Sequence, residues 1–402
     1  MTSCKPSTAS KIHYLDSVRA GAMVLGIPFH AACVYAADHD WVVKSQQTSI
    51  VLFHFTVFIH SFRMPVFFFI AGFFSALTLG KASTVQAGHG LVPGRHARSC
   101  LGDRCVRLGV PLIATFTCLN LAELHVLKVW ATAHDSASVI TLEQPRAQGD
   151  LFAAAALHLW FLITLIIYSA LAYVTYRLAR VRLATVHARC RRASPGELLA
   201  ILVAVATVIN AFWRSMLLVP ALAQALALTG FTSTILWTAF YAPFFLLGAY
   251  CHVDRRLLER LTRPAPLAIA ASLVVLTLRV ALPAFAPRSV DALRFALWTP
   301  SAFGGTYLVL MLGRAFFDRP SALTRELVDA SFTIYLLHHV VVVLAAIALL
   351  VVDWPIAAEF TVMTLFALFT PWSVHLLCRR SAFYRFLFNG IRPETGKRRQ
   401  VA

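Results

Sequence analysis

Long apolar segments recur along this chain, and their length decides what it can fold into. A helix rises about 1.5 Å per residue, so about 20 apolar residues cross the ~30 Å hydrocarbon core of a bilayer. Segments of that kind lie at roughly 16–38, 51–79, 108–130, 151–176, 198–219, 231–251, 266–284, 293–313, 329–352 and 356–378. In lipid each span must satisfy its own backbone polar groups, and a single apolar segment does so as a helix. The predicted fold is therefore all-α: a polytopic integral membrane bundle of about ten transmembrane helices. Composition agrees where it discriminates, because charged residues are only 13%, about half the share in a soluble domain. The first segment is long, carries Arg19 and His30 and lacks a small-residue cleavage site. It reads as a retained span and not as a signal peptide.

The net charge of +18 invites a nucleic-acid reading, but its distribution opposes that. The N-terminus, the loops 80–107, 177–197, 252–265 and 314–328, and the tail after 378 hold 27 of the 36 Lys and Arg. The opposite loops and span ends hold seven: Lys44, Lys128, Arg146, Arg214, Arg279, Arg288 and Arg294. Basic residues collect on the cytoplasmic side of membrane proteins. The asymmetry predicts a cytoplasmic N-terminus over 1–15, a transmembrane domain over 16–378 and a basic cytoplasmic tail over 379–402. The longest outer loop, about 131–150, is mildly acidic. With no separate soluble domain, any activity must sit among the helices. Six of the eight cysteines fall at or near the predicted cytoplasmic side, Cys33 and Cys118 fall in spans, and no C-x-x-C pair occurs. The expectation is reduced thiols, no disulfide and no metal site.

Ionisable groups inside spans are costly and usually face a cavity or a partner. Arg19 and His30 are eleven residues apart on the first span. At 3.6 residues per turn they project from one face, about 16 Å apart along the axis. Asp16 shares that face. Histidine takes and releases a proton near neutral pH, which is what a hydroxyl needs to attack an acyl carbonyl. The competing reading of His30 is a buried histidine bonded to a neighbouring helix. Arg63 stands mid-span beside His60, with Pro65 just after it. Proline removes a backbone donor and bends a helix, which in lipid requires protein or water nearby. That predicts an interrupted second span lining a cavity. Arg104 and Arg107 open the third span three residues apart, suited to a phosphate or carboxylate, or simply to anchoring. His158 and Trp160 lie in span four, and Tyr335, His338 and His339 share a face of span nine. Glu123, at the depth of His30, is placed to orient that imidazole or to pair with another helix.

Taken together these segments resemble the membrane acyltransferase family 3. The Arg19-x10-His30 pattern, the Arg63-Met64-Pro65 run through Gly72, Arg104-x-x-Arg107 and Tyr335-Leu-Leu-His338 occur in the family's order across about residues 14–378. Asp16-Ser-Val-Arg19, Leu25 to His30 and His158-Leu-Trp-Phe-Leu162 look like members that add succinyl groups to osmoregulated periplasmic glucans of Gram-negative bacteria. The resemblance implies a multi-pass enzyme of the bacterial inner membrane. Its donor would be an acyl-CoA, succinyl-CoA in the specific case, and its acceptor a periplasmic glucan. It implies His30 as general base, Arg19 and Arg63 as catalytic partners, and Asp16, Arg104, Arg107, His158, Trp160, Tyr335 and His338 as substrate contacts. It implies no permanently bound cofactor and no nucleic-acid partner. O-acetylation of another envelope polysaccharide, a secondary transporter and a non-catalytic sensor are the alternatives. No inverted repeat is visible to favour the transporter.

Overall fold

The computed structural model describes residues 12–37, 41–87, 93–133, 156–178, 190–217, 219–228, 231–285 and 296–392, with Thr185, Ala188 and Leu293 between them. The outer loop predicted over about 131–150 lies almost wholly outside the described residues, as do residues 1–11 and 393–402. The helices are α1 (His13–Val24), α2 (Gly26–Tyr35), α3 (Ile50–Ala87), α4 (Pro93–Thr115), α5 (Leu121–Ala133), α6 (Trp160–Leu178), α7 (Pro195–Leu217) and α8 (Pro220–Leu228). They continue as α9 (Thr232–Val253), α10 (Arg255–Thr262), α11 (Pro266–Phe285), α12 (Trp298–Phe317), α13 (Ala322–Leu349), α14 (Ile356–Cys378) and α15 (Ala382–Asn389). Among the described residues there is no strand, only an isolated bridge between Ala36 and Ser49.

Every predicted apolar segment coincides with a helix, but the segments are not equal as spans. Among the described residues, eight are long and apolar enough to cross a membrane. α11 joins them only together with α10, a pair bent by 69°. α12 is 20 residues long, and Thr299, Ser301, Gly304, Gly305, Thr306 and Arg314 dilute its apolar character. Two further expectations are corrected. Most of the stretch 80–107 is not loop, because α3 runs on to Ala87 and α4 begins at Pro93. α3 also passes through Pro65 without ending; the acceptor freed by the missing proline N–H is the carbonyl of Ser61, one turn back.

α3 is the central element and touches α1, α2, α4, α6, α9, α11 and α12. Its closest crossing is with α9. A Cβ on Gly72 would strike the Phe245 carbonyl, and one on Gly248 would strike the Phe69 carbonyl. Small residues let membrane helices approach backbone to backbone in this way. Around this crossing packs an aromatic core that includes Phe68, Tyr168, Tyr241, Phe244 and Phe303. The other faces of the helices are apolar and exposed, with Leu178, Val208, Leu267, Val274, Phe366 and Leu377 among them. Large exposed apolar area of this kind is what a bilayer covers.

The segment after α14 folds back. Ser381 caps α15, its side chain accepting from the Tyr384 N–H. Gly390 closes the helix with φ +60, and its missing Cβ leaves room for the backbone of Arg107. Arg392 then pairs with Asp103 at 3.4 Å. Part of the predicted tail therefore covers the start of span three.

Candidate active site

The first span is two helices because of Pro28. Proline has no N–H to give the Val24 carbonyl, and α1 ends at Val24. The next residue but one, Gly26, opens α2. A side chain there would lie 2.6 Å from Arg63 Nη1 and 3.7 Å from His338 Nε2. Gly26 is thus what lets the Arg63 guanidinium reach the middle of the bundle. That guanidinium sits over the Phe29 ring, 4.5 Å from its centroid, a cation–π contact in a desolvated setting.

Two local irregularities bring the remaining groups in. Between α4 and α5 a π-helical turn spans Phe116–Asn120. Such turns shift the register of the residues beyond them. Here it precedes Glu123, which is buried and faces α13. The second lies at the start of span four. Leu157 has φ +49, and a 3-10 turn over Leu157–Leu159 leads into α6. A non-glycine residue in the left-handed region persists only where its surroundings hold it. Two hydrogen bonds do so: Asn120 Nδ2 donates to the Ala156 carbonyl at 3.0 Å, and Tyr335 Oη donates to the His158 carbonyl at 2.6 Å. His158 is fixed facing inward.

The result is a cluster of four imidazoles. His30 lies 5.3 Å from His338 and 5.2 Å from His339, ring centroid to centroid. His158 stacks on His339 at 4.8 Å and lies 5.5 Å from His338. His339 Nδ1 and Glu123 Oε1 are 2.8 Å apart, with 3% and 0% of the two side chains exposed. A carboxylate only accepts, so Nδ1 is the donor. His338 is oriented by its own helix. Its Nδ1 faces the carbonyls of Tyr335 at 2.7 Å and Ile334 at 3.1 Å, which also only accept. Its Nε2 is therefore a lone pair, and it is buried without a hydrogen-bond partner in this structure. His30 Nδ1 is likewise without one. Trp41 caps the cluster, 5.8 Å from His30 and 5.4 Å from His339. Chemically this is a largely buried base site. It has one carboxylate-held imidazole, further imidazole lone pairs and a guanidinium within electrostatic reach of His30 and His338.

Of the residues expected from sequence, His30, Arg63, His158, Tyr335 and His338 meet here. Glu123 meets His339 directly and not His30. Arg19 stays near the other end of α1, 3.5 Å from Asp16 and over the Phe74 ring at 5.6 Å. It lies within electrostatic reach of Arg107, which in turn acts on Arg104. Asp16, Arg19, Arg104 and Arg107 thus form a separate, mainly basic group. Trp160 packs with Trp237 and Tyr241 in the aromatic core, and His60 packs with Phe29, Trp237 and Trp298. Sequence reasoning did not anticipate Trp41, since a tryptophan near a span end reads first as an interfacial anchor. Among the described residues no group of His, Cys, Asp and Glu is arranged to hold a metal ion.

Comparison with known proteins agrees with this architecture. The chain is 28% identical over 344 residues to glucans biosynthesis protein C of Escherichia coli strain K12, covering 83% of each. The protein of the same name from Escherichia coli O9:H4 strain HS matches to the same extent. No solved structure matches. The acyltransferase domain of family 3 matches residues 12–376, from the start of α1 almost to the end of α14 and through every member of the histidine cluster. The chain belongs to acyltransferase family 3 and is a multi-pass membrane acyltransferase.

Proposed function

We propose that this enzyme transfers an acyl group, succinyl in the first instance, from an acyl-CoA to a hydroxyl of a periplasmic glucan, within the bacterial inner membrane. The observation that carries the chemistry is the buried pair Glu123–His339 in van der Waals range of His30, with Arg63 beside them. The glucan acceptor is suggested by the relatives, glucans biosynthesis proteins C, and the succinyl group by the family resemblance. The mainly basic group of Arg19, Arg104 and Arg107 supports a polyanionic donor such as CoA, which a cationic surface would attract. With the termini cytoplasmic, as the charge asymmetry argues, that surface faces the cytoplasm.

His30 is the one partly exposed imidazole of the four, so it is the one assigned to the acceptor. It removes the hydroxyl proton as the oxygen attacks the thioester carbonyl. Negative charge develops on the carbonyl oxygen, and the Arg63 guanidinium stabilises it. The C–S bond then breaks, the thiolate of CoA leaves and takes up the proton, and the ester remains on the glucan. While His30 is protonated, its positive charge stands among imidazoles and a guanidinium. Glu123, acting through His339, supplies the compensating negative charge, as the carboxylate of a catalytic triad does. The test is mass spectrometry of periplasmic glucans with and without this gene, joined to acyl-CoA consumption by the purified protein. Loss of acyl substituents when the gene is absent, and glucan-dependent release of CoA by the purified protein, are expected. Unchanged glucans would refute the acceptor assignment.

A further inference from the structure

We infer that a cleft of mixed polar and apolar lining, at the end of the bundle remote from Arg104 and Arg107, is the binding subsite for the carbohydrate acceptor; this rests on the acyl-transfer reading above. The cleft has a volume of about 430 Å³; polar Ser45, Gln46, Gln47, Asp353 and Glu359 line it together with Trp130 and the apolar run 349–352 at the end of α13. That volume falls within the ~300–1,000 Å³ of small-ligand sites.

Its chemistry selects the ligand class. Amides and a hydroxyl offer both donors and acceptors, and the two carboxylates accept. That set matches a molecule made of hydroxyl groups, each of which donates and accepts. The Trp130 ring adds an apolar face with a polar edge, suited to the C–H face of a sugar ring. Among the described residues the lining contains no Lys or Arg, and its two charged members, Asp353 and Glu359, would repel a polyphosphate such as CoA. The mainly basic group at the other end has the opposite character. The two ends are therefore chemically sorted, one for an anion and one for a neutral polyol.

The cleft is also built from fixed elements. The segment before α3 is tied to the end of α2 by Ser45 N–H to the Val34 carbonyl at 3.0 Å and Ser49 N–H to the Tyr35 carbonyl at 2.7 Å. The Lys44 ammonium donates to the Ala36 carbonyl. Gln47 Nε2 crosses to Asp353 Oδ1 at 3.1 Å. Glu359 is buried, with 5% exposed, and hydrogen-bonds Tyr35. The elements that line the cleft are continuations of those that carry the imidazole cluster. Trp130 is seven residues beyond Glu123 on α5, and Leu349 is ten beyond His339 on α13. At 1.5 Å per residue the cleft lies about 10–15 Å along the axis from the histidines. Trp41, on the same segment as Ser45 and Gln47, packs on His30 and His339. An extended glycan seated in the cleft can thus present one hydroxyl to His30.

The test uses full-length protein in nanodiscs and, as probe, unacylated periplasmic glucan from a strain without this gene. Calorimetric titration should show saturable binding. Gln47→Leu and Glu359→Gln should each weaken it about ten-fold, the worth of one good polar contact, with the KM for acyl-CoA unchanged. Gln47 is exposed, so its replacement leaves the packing in place. Absence of binding to the wild type, or unaltered binding and glucan KM in both variants, would overturn the inference. The two readings fail separately. Acyl transfer that ignores both variants removes the cleft and keeps the chemistry. Glucan binding that both variants weaken, without any acyl transfer, keeps the cleft and removes the chemistry.

Discussion

Replacing Glu123 with glutamine isolates the role of its charge. Glutamine keeps the shape, and its carbonyl can still accept from His339 Nδ1, so the ring stays oriented. One negative charge disappears. The carboxylate lies 2.8 Å from His339 Nδ1, and the His339 ring lies 5.2 Å from that of His30. The charge that forms on His30 is therefore about 8 Å from Glu123, and at an effective dielectric of about 20 two unit charges at that distance interact by about 2 kcal/mol. Lost from the transition state alone, this lowers kcat about thirty-fold. KM for both substrates should hold, because neither is bound by Glu123 in this scheme. A modest loss of stability should accompany it. Glu123 Oε2 is buried without a hydrogen-bond partner, and an amide NH₂ at that place costs about 1–3 kcal/mol if unsatisfied.

The assay is CoA release by purified protein at saturating donor and acceptor, for four proteins: wild type, Glu123→Gln, His30→Gln and the double variant. If Glu123 acts on the charge carried by His30, its substitution matters little once His30 is gone. A Glu123→Gln protein that folds and turns over within about two-fold of wild type would refute the electrostatic argument. Equal effects of Glu123→Gln in both backgrounds would show that Glu123 acts elsewhere.

Four further outcomes are expected. His30→Gln should lower turnover by about 10²-fold or more, the usual worth of a general base, with normal insertion and expression; near-normal turnover would make His30 a packing residue. Arg107→Ala should raise the KM for acyl-CoA about ten-fold and leave kcat nearly unchanged, since one charge-assisted contact is worth about 1.5–3 kcal/mol; an unchanged KM would reduce it to a topology anchor. Gly72→Ala should destabilise the protein by about 3 kcal/mol or more in thermal unfolding, because the new Cβ meets the Phe245 carbonyl, whereas Gly109→Ala, where nothing lies within 4 Å, should be neutral or stabilising. A reporter active only in the periplasm should give signal when fused after Asp150 and none after Ala193; the reverse would invert the proposed orientation.

The helices were legible because lipid leaves so few choices. A run of about 20 apolar residues has one way to satisfy its backbone, and α14 (Ile356–Cys378) falls on the predicted limits. The count was less secure at α12, where hydroxyls and glycines serve packing against α3 and α11 at the expense of hydropathy. Loop lengths were less legible still. Apolarity marks where a helix enters lipid, not where it stops, so α3 and α4 extend past the predicted ends.

The site was legible in its parts and not in its pairing. Periodicity placed His30 on an inward face and put Tyr335, His338 and His339 together. It could not place Glu123 against His339 and not His30, because five residues of π-helix precede it, and each residue added to a turn rotates the rest of the helix by about 100°. Nor could it turn His158 inward, which depends on a left-handed Leu157 held by Asn120 and Tyr335. Both irregularities cost conformational energy, and both occur at segments that deliver a side chain to the same cluster. Asn120 links them, since it ends the π-helical turn and also holds the Ala156 carbonyl. The departures from regular helix are thus coupled: straightening either one would withdraw a titratable group from His339 and loosen the support of the other.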